Sequence, residues 1–526
     1  MSSLAESPIA VSLDMADLDV SELSILLCCR DDWESLEFVL GELRSCLVPY
    51  SQLVSRIRIL VVDDSESASR SGQGLNSLFT RAERAWLSVE IVSGPRAGLS
   101  AATSFGLMEI SSRWPETFVL MLDCDGQHDI RAGHELLRLA IVTKTDCVIG
   151  SRWLRGGSAP GLSRRRVFFS KAARIPLRMA GVPRSVSDPT TSFRCYSPSA
   201  LSFLGRDALG FGGFSVFPGM VALLAARGLA IREIPITFRP RLVGESSLSI
   251  RVALRTLAAV PTVYGRSLMV RRRSQWFESS SDASYVGSEE LDALELAVKF
   301  RQYVASISGS RFAGEGLEIG SGKGSSAQAL LDRASIDGVP LSLSLMEPDD
   351  QLRIGLVGRF GNDDRIRRIG KSLDEFKDSR FRTIWLFSVL EHILDDIAFL
   401  DELRSLLEPG GVLIVFVPRM PGIYGTVDGS SGHFRRYGHK ELALVAQLAG
   451  FEVIQTRCVD AVGWFPYWAN YVVRQKRKIS RRVVVLADHM IVPAVRLLDR
   501  LPFVPLMVSK NLLVSLKPVG HFEGQV

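Results

Sequence analysis

Short apolar runs alternate with amphipathic ones along most of this chain. Between Glu22 and about Gly150, β-rich runs at 23–29, 57–62, 89–92 and 118–122 are separated by stretches such as 34–46 and 99–110, whose apolar positions recur at helical spacing. A further short strand is expected at 147–149. Such alternation builds a parallel sheet with helices on its faces. The rhythm breaks at Arg271–Arg273, which leads into a polar, Ser- and Gly-containing stretch ending near Ser288. After a helical stretch over 289–304, a second series begins, with strands expected at 316–319, 341–346, 382–387 and 412–417. The pattern predicts an α/β fold of two tandem Rossmann-like domains without an internal repeat. Its divisions are a disordered lead at 1–21, a first domain at 22–271, a linker at 272–288, a second domain at 289–475 and a basic, apolar extension at 476–526.

A length of 526 residues agrees with more than one domain, and 46% hydrophobic against 23% charged residues excludes a disordered chain. The net charge of +6 is mild and suits polyanionic, phosphorylated or membrane-surface partners without choosing among them. Seven cysteines with no CxxC pair suggest neither zinc nor a disulfide framework, which points to a reducing compartment. Residues 1–21 carry acids and no base, unlike a secretory signal. The most apolar stretch, 483–508, is interrupted by charges and prolines, so no membrane span is expected.

The densest chemistry of the first half follows an apolar run: Asp123-Cys124-Asp125-Gly126-Gln127-His128. Ligands of open α/β sheets bind outside the carboxyl ends of strands, where this cluster falls. Two carboxylates with an amide supply the hard oxygens that Mg²⁺ or Mn²⁺ takes. Asp63 and Asp64 end an earlier strand and Arg152 follows a later one, so acids and a base converge as a nucleoside diphosphate and its metal require. These blocks, with Arg96-Ala97-Gly98-Leu99, Asp188-Pro189-Thr190-Thr191-Ser192-Phe193-Arg194, and the stretch from Glu233 to Ser246, resemble the family 2 glycosyltransferases of GT-A fold. Among them the sequence is most similar to the polyprenyl-phosphate (dolichol-phosphate) mannosyltransferase type, over about 23–268. The resemblance implies nucleotide contacts from Asp32 and Asp64, a divalent ion on Asp123, Asp125 and Gln127, and Arg152 and Arg241 near the leaving and acceptor phosphates. Direct displacement would invert the anomeric centre. Gly244-Glu245-Ser246-Ser247 stands where the family has Gly-x-Ser-Lys, so a phosphate-binding Lys is missing. Asp188 is the one strong candidate for a base, with a turn-forming role before Pro189 as the alternative.

In the second half, Leu317-Glu318-Ile319-Gly320-Ser321-Gly322-Lys323-Gly324 runs a strand through a glycine turn into a helix, and Glu347 closes the next strand. A carboxylate there can take both hydroxyls of a ribose, in a dinucleotide enzyme as in others. With Leu390-Glu391-His392 and Glu408-Pro409-Gly410-Gly411, the pattern resembles the class I S-adenosylmethionine-dependent methyltransferases over about 289–458. By that resemblance Glu318, Gly320, Gly322 and Gly324 cradle the methionine end, Glu347 binds the ribose and Asp374 lies by the adenine. His392 or His433 could serve as base, with closure of the site as the alternative for His392. The segment from Asp428 to Tyr437 matches a block of methyltransferases from glycan gene clusters, in which Arg435, Arg436 and Tyr437 would meet an acidic or phosphorylated acceptor. A loop that packs Tyr437 and caps the next helix is the alternative.

Basic clusters at 164–166, 271–273 and 474–482 flank apolar sequence, as at a membrane surface bearing a lipid-linked phosphate. No nucleic-acid module is present. The combined expectation is a bifunctional cytoplasmic enzyme, peripheral on the inner face of the cell membrane. It would transfer a sugar from a nucleotide-sugar donor to a polyprenyl phosphate or lipid-linked glycan and methylate a glycan with S-adenosylmethionine. A methyltransferase whose first half only binds glycan, or a non-enzymatic membrane-associated scaffold, are the alternatives.

Overall fold

The computed structural model describes residues 22–50, 54–66, 85–160, 162–240, 250–279, 292, 295–308, 313–500 and 508–519. The expected lead at 1–21, all of 280–291, and Arg241 with the stretch to Ser247 lie outside them. The chain divides into two compact units, residues 1–208 with 212–258, and residues 209–211 with 259–526.

The first unit is built on β1 (Glu22–Cys29), β2 (Arg56–Asp63), β3 (Leu87–Ser93), β4 (Phe118–Asp123), β5 (Cys147–Ser151), β6 (Arg194–Tyr196) and β7 (Ile231–Pro235). They form one sheet in the order β3-β2-β1-β4-β6-β5-β7. Strands β1 to β4 are mutually parallel, and β6 runs antiparallel to both β4 and β5. The five expected strands are all present, β1 and β2 with nearly unbroken buried runs, because a sheet covered on both faces has no side to leave polar. Helices Trp33–Tyr50 and Ile130–Val142 bury Leu36, Val39, Leu40, Leu136 and Leu137 against one face. The strand order reverses between β1 and β4, and that is where a doubly wound sheet opens its ligand crevice.

The second unit repeats the architecture with β8 (Gly314–Ile319), β9 (Leu341–Met346), β10 (Ile366–Gly370), β11 (Phe381–Phe387), β12 (Leu407–Pro418), β13 (Phe451–Val459) and β14 (Asn511–Pro518). The order β10-β9-β8-β11-β12-β14-β13 places its reversal between β8 and β11. Two features differ from the sequence reading. Strand β14 comes from the expected C-terminal extension, yet it pairs antiparallel with both β12 and β13 and buries Leu512, Leu513, Val514 and Leu516. It is an inner strand of the sheet. The 271/272 boundary and the linker from 272 are also corrected, because helix Val260–Ser279 is continuous and belongs to the second unit. The Arg-rich sequence that read as the start of a linker serves packing: buried Arg266 makes a bidentate pair with Glu441 (2.6 and 3.0 Å), and Arg272 and Arg273 donate to the carbonyls of Tyr424 and Phe434.

Candidate active sites

In the first unit the register fixes the acids before any ligand is considered. Asp63 ends β2 opposite Cys29, and Asp123 ends β4 opposite Cys28, so the two carboxylates flank the end of β1 at the switch point. Asp31, at φ 55°, donates its N–H to Ser65 Oγ (2.9 Å) and turns the chain so that Asp32 precedes the helix from Trp33. Asp64 is buried and accepts from Gly98 N–H (2.8 Å) through Oδ2, while its Oδ1 has no partner. Burial raises its pKa against the pull of the amides of Gly98, Arg96 and Ala97. It therefore orders the Arg96–Gly98 loop and still presents one oxygen.

The Asp123–His128 turn is braced from behind. Asp125 Oδ1 accepts from Gln127 N–H (3.1 Å), and Gln127 Nε2 donates to the Arg239 carbonyl (3.1 Å). His128, which the sequence reading quoted but gave no role, is buried beneath the turn, stacked on Phe193, and accepts from Asp123 N–H (3.2 Å) at Nδ1. Burial pushes it down to about 4, so it is a neutral brace. At the end of β4 the turn brings together the half-buried Asp123 and buried Asp125 carboxylates, with Gln127 able to add only its amide oxygen. That hard-oxygen set fits Mg²⁺ or Mn²⁺.

Arg152 and Asp188 come together differently from their expected roles. Arg152 Nε and Nη2 contact Asp188 at 2.6 and 2.8 Å, Thr190 adds a hydrogen bond, and Glu233 accepts from the N–H groups of Ser187 and Asp188. Burial alone would raise Asp188, but the Arg152 guanidinium outweighs it and holds the carboxyl below its usual range. Asp188 is fully buried with both oxygens occupied, so it positions Arg152 and cannot collect a proton from an acceptor. Arg241 lies outside the described residues.

In the second unit, Gly320, Gly322 and Gly324 stand at φ 69°, 54° and 81°. An added Cβ at Gly320 would meet Val389 at 2.6 Å, and one at Gly324 would collide with Phe360. Glu347 accepts from Gly322 N–H (2.7 Å) and Asp349 N–H (3.0 Å), holding the loop against the end of β9. Glu318 is buried with Oε2 unpartnered, and burial pushes it up to about 8. An orphaned acid beside a glycine cradle fits a ligand with a cationic amino-acid end and a ribose. Asp374 follows β10, exposed and paired with Lys377.

Past β11, turn Leu390–His392 carries Glu391 and His392, and His433 lies with its ring centroid 4.6 Å from that of His392. Burial above all pushes His392 down to about 3, which leaves it a poor base. His433 Nδ1 lies 2.9 Å from Asp428 Oδ1, and Asp428 also binds Arg436, Tyr467 and Gly425 N–H. The expected acceptor residues are corrected here. Arg435 binds the carbonyls of Ile393 and Leu394 and pairs with Asp396, Arg436 is held by Asp428, and Tyr437 donates to Asp396. All three are buried, so they build the wall of the site rather than meet an acceptor. The sequence reading gives Asp396 and Tyr467 no role, since only the fold brings them to Arg435, Tyr437 and Asp428, and it gives Asp428 no partner although Arg436 follows eight residues later.

Family comparison agrees with both geometries. Residues 24–205 match the model for glycosyl transferase family 2, and residues 294–456 match a methyltransferase domain. An undecaprenyl-phosphate mannosyltransferase of Micrococcus luteus is 34% identical over 41% of this chain and 83% of its own. The chain belongs to glycosyl transferase family 2. The glycosyltransferase unit is also 28% identical to a polyprenol monophosphomannose synthase of Mycolicibacterium smegmatis, over 37% of this chain and 71% of that one. For the methyltransferase unit, a Geobacter sulfurreducens S-adenosylmethionine-dependent methyltransferase solved with S-adenosyl-L-homocysteine aligns at a TM-score of 0.25 with 15% identity, covering 47% of this chain and 98% of that one. At that score the fold rests on the strand order, not on the alignment.

Proposed function

We propose that the first unit transfers a sugar from a nucleotide-sugar donor to a polyprenyl phosphate or lipid-linked glycan, with inversion, and that the second methylates a glycan with S-adenosylmethionine. The observation that carries the reading is the convergence of Asp63, Asp64, Asp123 and Asp125 on one sheet crevice, with Arg152 locked by a buried carboxylate nearby. A divalent ion, held by Asp123 and Asp125, would neutralise charge on the departing diphosphate. Arg152, oriented by Asp188, adds a fixed cation that needs no reorganisation. Asp64 orders the Arg96–Gly98 loop through its bond to Gly98 and keeps an oxygen for the nucleotide. An acceptor that is already a phosphate monoester needs no base, which agrees with Asp188 being unable to act as one. In the second unit, Gly320, Gly322 and Gly324 would seat the methyl donor and Glu347 its ribose, and the donor supplies a methyl group on a cationic sulfur.

The same reading puts the protein in the cytoplasm, peripheral on the inner face of the cell membrane. No helix among the described residues is long and apolar enough to cross a membrane. Support for surface binding comes from exposed Phe168 and Phe169 beside Arg164 and Arg165, and from exposed Val483, Leu486 and Met490 after the 474–482 basic run.

Release of nucleoside diphosphate across a panel of nucleotide sugars, with Mg²⁺ or Mn²⁺ and a polyprenyl phosphate, tests the first activity. Asp125→Asn keeps the acceptor for Gln127 N–H but removes the charge, and turnover should fall at least ~100-fold while S-adenosylmethionine binding is unchanged. Loss of both would refute independent sites.

A further inference from the structure

Glu391 is the least accounted-for group in the second unit. Its side chain is 0% exposed, and neither carboxylate oxygen has a hydrogen-bond partner. A buried carboxyl without donors is costly, and native folds rarely keep one without a ligand or a task. What faces it is two imidazoles: Glu391, His392 and His433 each bring a donor atom within 4.8 Å of the others.

The surroundings favour a cation. Asp428 Oδ1 lies 2.9 Å from His433 Nδ1, and with the ring proton on Nδ1 that contact leaves the other ring nitrogen its lone pair. A carboxylate behind a ligating histidine fixes its tautomer and raises its basicity. Phe434 N–H donates to the Glu391 carbonyl, so the turn and the His433 loop are tied at the site. Val389, two residues before Glu391, lies against Gly320, which sets the cluster beside the glycine cradle.

We propose that Glu391, His392 and His433 bind a divalent first-row transition metal ion, and that this ion takes the hydroxyl of the methyl acceptor. Two imidazoles and one carboxylate on one side of an ion leave positions open, and both histidines are partly exposed. Bonds of about 2.1 Å require the three donors to close by roughly an ångström, within reach of side-chain rotation. The role of the ion rests on the methyltransferase reading. An acceptor hydroxyl held there is acidified and gives its proton to solvent. Its oxygen then bonds to the methyl carbon while the carbon–sulfur bond breaks, and that electron pair returns to sulfur, giving a neutral thioether. No protein base is then needed.

The test uses the full chain stripped with chelator. Co²⁺ alone should give visible d–d absorption bands, and calorimetry with Zn²⁺ should show a site that persists when Asp123→Asn and Asp125→Asn remove the charge of the first unit's acidic set. Glu391→Gln, which preserves volume, and His392→Ala should each weaken that binding ~100-fold or more. S-adenosylmethionine binding, measured in parallel, reports that the variants are folded and that the methyl-donor site exists. Metal binding without S-adenosylmethionine binding supports the ion site and removes the methyltransferase role. S-adenosylmethionine binding with no Co²⁺ bands, or Glu391→Gln binding metal as tightly as the parent, overturns the proposal.

Discussion

A carboxyl that folding takes out of water must find donors or keep its proton, and both outcomes occur in this chain. Asp188 and Asp428 meet arginines and stay charged, whereas Glu318 has no charged partner and is pushed up to about 8 from an ordinary 4.5. Between those two values unfolding releases a proton from Glu318, so stability falls as pH rises, and above pH 8 the slope from this group ends. Glu318→Gln should therefore stabilise the ligand-free protein little at pH 5 and by on the order of 4 kcal/mol at pH 8. Urea denaturation at the two pH values measures it, and a pH-independent difference would contradict the assignment. Residue identity alone carried part of this site and not the rest. Glu318, Glu347 and the three glycines were legible because strand, turn and helix are consecutive in sequence. Arg435 and Tyr437 read as ligands because their partner Asp396 is joined to them only by the fold, and Arg436 because the turn that brings Asp428 onto it, eight residues back, leaves no mark in the sequence.

At the level of elements, the strand-to-helix turns carry both sites, and their tolerance is narrow. Gly324 caps helix Ser325–Ile336 in the left-handed region, and an added Cβ would collide with Phe360 and lie 2.8 Å from Leu356. Gly324→Ala should cost about 1–3 kcal/mol, through backbone strain and overpacking together. Affinity for S-adenosylmethionine should fall at least ~10-fold as the loop shifts, and calorimetry beside thermal melts separates the two effects. Unaltered binding would show that the cradle does not hold the donor. Strands with unbroken apolar runs, β1, β2 and β4, were plain in the sequence, since burial on both faces leaves a signal that needs no partner. Strand β6 has three residues and β7 is only partly buried, so neither carries such a run.

At the scale of the whole molecule, one hydrophobic cluster among the described residues lies around β1, β2 and β4 and another around β9, β11 and β12. A ligand that binds one unit stabilises that unit by mass action. S-adenosylmethionine at 100 times its Kd should add about 2.7 kcal/mol to opening of the second unit and leave the first unmoved, as hydrogen exchange resolved by peptide can show. Protection spreading equally over β1–β7 would contradict separate sites. Strand β14 gives the two units different births. As the chain leaves the ribosome, the first sheet has all its strands once Pro235 is out, so this half can fold while the rest is still being made. The second sheet waits: β12 and β13 keep exposed edges until Asn511–Pro518 arrives to close them. The methyltransferase half is thus the one that needs shelter from aggregation during synthesis, and a chain broken off before residue 511 would expose the same two edges.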